Sequence, residues 1–166
     1  RIVDVDLAGR IISERSLKTA ITAENLPEVV RQIIKERAAA IDEAHGPLLG
    51  AGVGVGGLVD KESGRLRYSV PLGILEPVDY SAQLRDMPVP CFIENDANCC
   101  AWGELAFAPQ QTARNFLFAL VEYRRDTDEI LQRGGMGVGF GLVLNGSVYR
   151  GAHGNAGEFR SAFCSG

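Results

Sequence analysis

Glu94-Asn95-Asp96-Ala97-Asn98 is the stretch on which the reading of this chain turns. Before it, Val89-Pro90-Cys91-Phe92-Ile93 is an apolar run bounded by Pro88, the pattern of a buried strand. After it, residues 97–107 are rich in helix formers, with Ala97, Ala101, Glu104 and Leu105 at helical spacing. Asn95 or Asp96 can cap that helix by accepting from its free N–H groups. An Asn and an Asp thus stand where a strand hands over to a helix. In open α/β sheets, ligands bind beyond the carboxyl ends of the strands. Capping alone also accounts for both residues, so their meaning rests on what the rest of the chain brings beside them.

Working outward, residues 1–6 alternate, with Val3 and Val5 on one face and charges between them. Leu7-Ala8-Gly9 is a turn, and residues 10–18 resume with Ile11, Ile12 and Leu17, so this segment reads as an antiparallel hairpin. Asn25-Leu26-Pro27-Glu28 opens a helix, with Pro27 in the first turn and Glu28 near the positive end of the dipole. Val30, Ile33, Ile34, Arg37, Ile41 and Ala44 trace one face, and Gly46-Pro47 is the expected stop. His45, in its last turn, reads as structural. Residues 48–59 form an apolar strand with glycines at alternate positions; glycine weakens a strand, so something must approach the backbone closely near Gly56-Gly57. That something is either a ligand or a tight helix–strand contact. Residues 60–64 are a turn, 65–70 a returning strand and 79–86 a short helix.

Pro109-Gln110-Gln111 breaks the pattern, and a domain boundary is expected at 108–114, dividing the chain into 1–110 and 111–166. Residues 115–123 read as a strand and 124–133 as a charged insertion. Gly135-Met136-Gly137-Val138-Gly139-Phe140-Gly141 reads as a glycine-rich turn able to cradle phosphate with backbone N–H groups, Gly135, Gly137 and Gly139 above all. It is neither a Walker loop nor a dinucleotide fingerprint, because no Gly-Lys-Ser/Thr follows and it leads into a hairpin. Asn145-Gly146 is the strongest hairpin signal, a type I′ turn, with residues 147–150 returning. Residues 151–157 are a glycine-rich loop holding His153 and Asn155, followed by Glu158. The order of strands and helices indicates an α/β fold with a mixed sheet.

Composition narrows the function classes. The chain has 166 residues, 46% of them hydrophobic, which suffices for a true core. Its net charge is −4 with no basic run, which excludes a nucleic-acid surface. No apolar run approaches the length of a membrane-spanning helix, and the N-terminus does not read as a signal peptide. The cysteines Cys91, Cys99, Cys100 and Cys164 form no C-x-x-C pair and fit free thiols in a reducing cytoplasm.

Taken together and in order, these motifs resemble the ROK family, the repressors, open reading frames and sugar kinases of the actin-like ATPase superfamily. Residues 94–98 with Glu104 are similar to the family's Asn-Asp segment. Residues 52–60 are similar to its Gly-x-x-x-Pro-Gly-x-Val-Asp strand, with Gly56 where proline is usual. Residues 135–141 resemble its second phosphate loop, and 145–158 the segment leading to its substrate glutamate. The resemblance implies a ribonuclease-H-like fold of two lobes with a sugar in the cleft, here present in part. In kinase members the Asp matching Asp96 is the general base, which takes the proton of the sugar hydroxyl attacking Mg-ATP. Asn95 and Glu158 would hold sugar hydroxyls, and Gly57 would let the backbone approach the ring.

The chain departs from the family pattern in several places. The opening strand and phosphate loop, Asp-x-Gly-Gly-Thr, is absent, so an element is expected before Arg1. The threonine of the second phosphate loop is Met136, which donates no hydrogen bond. Glu-x-Gly-His is replaced by Glu158-Phe159-Arg160-Ser161, and the zinc cysteines are reduced to Cys164, so no metal site is expected. The resemblance therefore implies the sugar-binding effector domain of a ROK regulator, with DNA contacted only through a domain not in this chain, no membrane, and association into a homo-oligomer. The alternative is an ATP-dependent sugar kinase seen as a fragment.

Overall fold

A computed structural model describes residues 1–41, 46–108, 113–124, 135–152 and 154–158. Among them, β1 (Ile2–Val5) and β2 (Ile11–Arg15) form the expected antiparallel hairpin. Its turn is closed by Asp6, whose Oδ1 accepts the N–H groups of Ala8 and Arg10, each at 2.9 Å. The two faces of β1 differ: Val3 and Val5 are exposed, and Asp4 is buried. The reason is an ion pair. Arg37 of the following helix and the Ser13 hydroxyl both donate to the Asp4 carboxylate, which neutralises the charge as it leaves water.

Helix α1 (Leu26–Ile41) begins where Asn25 and Pro27 indicate. The Thr22 N–H donates to Asn25 Oδ1 at 2.8 Å, and the Asn25 N–H to Thr22 Oγ1 at 3.3 Å, so each side chain caps the other's backbone. Leu26 and Ile34 carry the buried face. The end of this helix, with Ala44 and His45, lies outside the described residues.

The glycine-bearing segment 48–59 is not one strand. It divides into β3 (Ala51–Val55) and β4 (Leu58–Asp60), which belong to different sheets. The bend falls at Gly57, at φ 145°, where a Cβ would lie 2.1 Å from the Tyr68 carbonyl oxygen. A side chain has no room there, so this glycine serves a chain-on-chain approach. Ser69 Oγ donates to the Gly56 carbonyl at 2.7 Å and fixes the same corner. Strand β4 pairs antiparallel with β5 (Arg65–Tyr68), which pairs with β6 (Val78–Asp79). The short helix α2 (Ser81–Arg85) follows. Val55, Val59, Leu66, Ile74, Tyr80 and Ile93 form the main core under this corner, joined by Leu26.

Strand β7 (Cys91–Asn95) runs parallel to β3, from Ala51 opposite Cys91 to Val55 opposite Asn95. Both strands therefore end at one level. Helix α3 (Asp96–Phe107) starts there without a loop. Of the two capping candidates, Asn95 is the cap: it has extended backbone (φ −61°, ψ 140°), and its Oδ1 accepts the Asn98 N–H at 3.0 Å. Such a cap is worth about 1 kcal/mol.

The remaining elements are β8 (Phe116–Arg124), β9 (Gly135–Leu144) and β10 (Ser147–Val148), an antiparallel sheet in the order β10-β9-β8. Residues 135–141, expected as a turn, instead form the first half of β9, paired from Gly135 opposite Arg124 to Gly141 opposite Phe118. Their glycines answer to packing. A Cβ on Gly141 would sit 2.4 Å from the Ala97 carbonyl oxygen and 2.6 Å from Ala101 Cβ, and one on Gly139 would sit 3.2 Å from Ala97 Cβ. Bare backbone lets the sheet lie directly on the first turns of α3. Asn145 (φ 54°) and Gly146 (φ 75°) form the expected left-handed turn into β10. The charged insertion at 125–133, His153 and Cys164 lie outside the described residues.

This contact generates a test. Gly141→Ala should destabilise the chain by about 2–3 kcal/mol through overpacking. In urea unfolding this appears as a lower midpoint at unchanged slope. A midpoint equal to wild type would contradict the contact.

Candidate functional site

The equal ends of β3 and β7 create the site. Gly56-Gly57 leaves the sheet beside Asn95-Asp96, and Asn95 Nδ2 donates to the Gly57 carbonyl at 3.1 Å. From the other side, β9 lies on α3 and brings Gly137 and Gly139 to the same place. Between them is an open hollow of about 240 Å³. It is lined by Gly56, Gly57, Tyr68, Val70, Pro71, Asn95, Asp96, Leu120, Glu122, Gly137, Val138, Gly139 and Glu158. Asn95, Asp96, Gly57, Glu158, Gly137 and Gly139 are therefore gathered around one space, although Glu158 is 62 positions from Asp96 (158 − 96).

The polar groups divide into frame and lining. Asn95 is 8% exposed, and both ends of its amide are engaged, one by Asn98 and one by Gly57. It retains one N–H for a ligand. Asp96 Oδ1 accepts its neighbour's N–H, from Ala97, at 2.8 Å, while Oδ2 faces Gly56, where a Cβ would come within 3.2 Å. A bare glycine at 56 thus keeps that oxygen accessible. Burial, and then the charge of Asp96, push the Glu158 carboxyl above its ordinary value of 4.5. Glu158 nonetheless keeps contact with solvent.

Beneath the lining lies a buried carboxylate. Glu94 Oε1 accepts the Asn95 N–H at 3.0 Å and Asn98 Nδ2 at 3.2 Å. Its Oε2 meets Arg150 Nε at 2.7 Å and Nη2 at 2.6 Å. Sequence reading assigned no role to Arg150, Asn98, Glu122 or Tyr68. Nothing in spacing could signal the pair, since Glu94 and Arg150 are 56 positions apart. The nearby Cys99 thiol is pushed up to about 11, chiefly by burial and then by Glu94. It is therefore protonated at neutral pH and is no nucleophile.

Among the described residues, no group of three His, Cys, Asp or Glu side chains is arranged to hold a metal, and no helix is long and apolar enough to cross a membrane.

Glu158 gives a pH test with a definite sign. Its carboxyl is raised in the folded chain, so ionisation costs stability as pH rises above about 4.5. Glu158→Gln should therefore melt higher than wild type at pH 7, and the gap should close as pH falls below 4.5. Thermal melts across that range check it, and a gap that widens in acid would reverse the assignment.

Known proteins share this fold. The model of the ROK family matches residues 2–160. A protein named "Putative xylose repressor" from Caldicellulosiruptor sp. (strain Rt8B.4) is 31% identical over 160 residues, covering 95% of this chain and 37% of its own length. The ROK glucokinase from Streptomyces griseus, solved with glucose and AMPPNP, superposes with a TM-score of 0.66 at 27% identity, covering 93% of this chain and 44% of that one. A ROK transcriptional regulator homologous to the E. coli MLC protein superposes with a TM-score of 0.68 at 22% identity, covering 93% and 36%. The chain thus spans less than half the length of these proteins. Its fold is the α/β, actin-like ATPase fold, present in part. The chain belongs to the ROK family.

Proposed function

We propose that this chain is a sugar-binding portion of a ROK transcriptional regulator. The observation that carries the reading is the convergence of Asp96 and Glu158 on one open hollow beside the bare backbone of Gly56-Gly57. Two carboxylates and a remaining amide N–H suit a polyhydroxyl ligand: the carboxylates accept from hydroxyls and the amide donates to one. The division into lobes, 1–110 and 111–166, sets Asp96 on the first and Glu158 on the second, so a ligand between them would bias how the two stand. Binding could in that way shift a regulator between DNA-bound and released states, through a DNA-binding part elsewhere in the protein. Self-association belongs to the same reading.

Among the described residues, the fit to the phosphates of a nucleotide is poor. The glycines expected to wrap phosphate, Gly135, Gly137 and Gly139, are engaged in β9, with Gly139 pressed toward α3, and Met136 brings no hydroxyl. The kinase alternative keeps one specific support, the general-base candidate Asp96 facing the hollow. No phosphoryl-transfer step follows from the geometry around it.

Calorimetric titration with D-xylose and with D-glucose, with and without Mg-ATP, tests the reading. The expected result is sugar binding that nucleotide does not alter. Sugar-dependent ATP turnover would replace it with the kinase alternative, and silence towards a panel of pentoses and hexoses would remove it. Asp96→Asn should weaken sugar binding about tenfold, the loss of one charged acceptor, with the melting temperature nearly unchanged. If it unfolds the chain without changing affinity, Asp96 serves only the helix start.

A further inference from the structure

The Glu94–Arg150 pair lies just outside the hollow, yet it joins the two segments that supply the hollow's acids. On one side, Glu94 Oε1 holds the Asn95 N–H and Asn98 Nδ2, which fixes the turn on which Asp96 is mounted. On the other, Arg150 stands at the root of the loop that ends in Glu158. The Arg150 carbonyl accepts the Ala156 N–H at 3.0 Å, and the Asn155 carbonyl accepts the Glu158 N–H at 3.2 Å. Loop glycines complete the fit: a Cβ on Gly154 would lie 2.5 Å from the Val59 carbonyl oxygen, and one on Gly157 would lie 2.0 Å from that of Phe140. A single carboxylate, 9% exposed, thus reaches both halves of the site at once, through separate oxygens.

We propose that Arg150 is a positioning residue: held by Glu94 through a hydrogen bond from Nε and the ion pair between them, it sets the loop leading to Glu158 so that Glu158 faces Asp96 across the hollow. A guanidinium suits this better than an ammonium. Its Nε, on the stem of the rigid guanidinium plane, donates to Glu94 Oε2 while the outer nitrogens keep the charge beside it, whereas a lysine would keep the charge and lose the planar group that sets the direction. Neither Glu94 nor Arg150 lines the hollow, so the pair acts on it through the residues it positions. It rests on the hollow being the sugar site only for its consequence in binding, not for the juxtaposition itself.

The test uses the 166-residue chain and reads the juxtaposition without any sugar. In the wild-type background, Asp96→Asn removes a negative neighbour and should lower the Glu158 carboxyl titration followed by carbon-detected NMR. In the Arg150→Met background that response should vanish, because Glu158 no longer faces position 96. Arg150→Lys should restore it in part. A response of wild-type size in Arg150→Met overturns the proposal. If Arg150→Met does not fold, Glu94→Gln takes its place: it removes the anchoring charge with little change of shape, and the same loss or retention of the response decides. D-Xylose and D-glucose affinities of the same variants are a separate readout. Lost coupling with no sugar binding in wild type supports the positioning role and removes the sugar reading. Retained coupling with sugar binding intact does the reverse.

Discussion

The first turn of α3 is the point that every other part of this structure must respect. It is reached from below by β3 and β7, whose parallel ends finish together, and from the side by β9, whose glycines let backbone meet backbone. Asn95 closes the turn by accepting from Asn98 and ties it to Gly57. A side chain at Gly141 or at Gly57 would push one of these neighbours away. The hollow exists because two segments that lack a side chain at the critical place, the Gly56-Gly57 corner after β3 and the glycines of β9, both crowd the helix start at which β7 ends.

Much of this was legible in the chain. The apolar run before Glu94, the Asn and Asp at the handover, Pro27 in the first turn of a helix and Asn145-Gly146 each carry a local signal that tertiary packing leaves intact. The readings that needed correction share a cause. Glycines in 48–59 were open to two explanations, a ligand or a tight protein contact, and those in 135–141 read as a phosphate turn; a local pattern does not distinguish these cases. In both places the neighbour is protein: Tyr68 and Ser69 beside Gly57, Ala97 and Ala101 beside Gly141. Asp4 shows the same limit. Alternation sets Val3 and Val5 on one face without saying which face is buried, and Asp4 on the other is the buried one, held by an arginine on α1 33 positions away.

The site was legible in its lining and not in its frame. Asp96 and Glu158 were recognisable because each sits in a local motif. The carboxylate that joins them was hidden in plain view, at the head of the same motif, because its partner Arg150 lies on another element. Asn95, expected to face a ligand, gives one donor and one acceptor of its amide to the backbone around it. That residue is therefore partly architecture, and the adjacent Asp96 is the one whose Oδ2 is left beside bare Gly56 at the hollow.

One face of the β8–β9 sheet has a consequence of its own. Phe116, Phe118 and Val143 turn towards α3, but the opposite side presents Leu117, Val121, Val138 and Leu144 to water. Contiguous oily surface of this kind is kept dispersed by mutual repulsion between molecules, and here that repulsion comes from a net charge of only −4. In mildly acidic buffer, as carboxylates gain protons towards the isoelectric point near 5.2, that repulsion fades, and this face is where copies of the 166-residue chain would adhere.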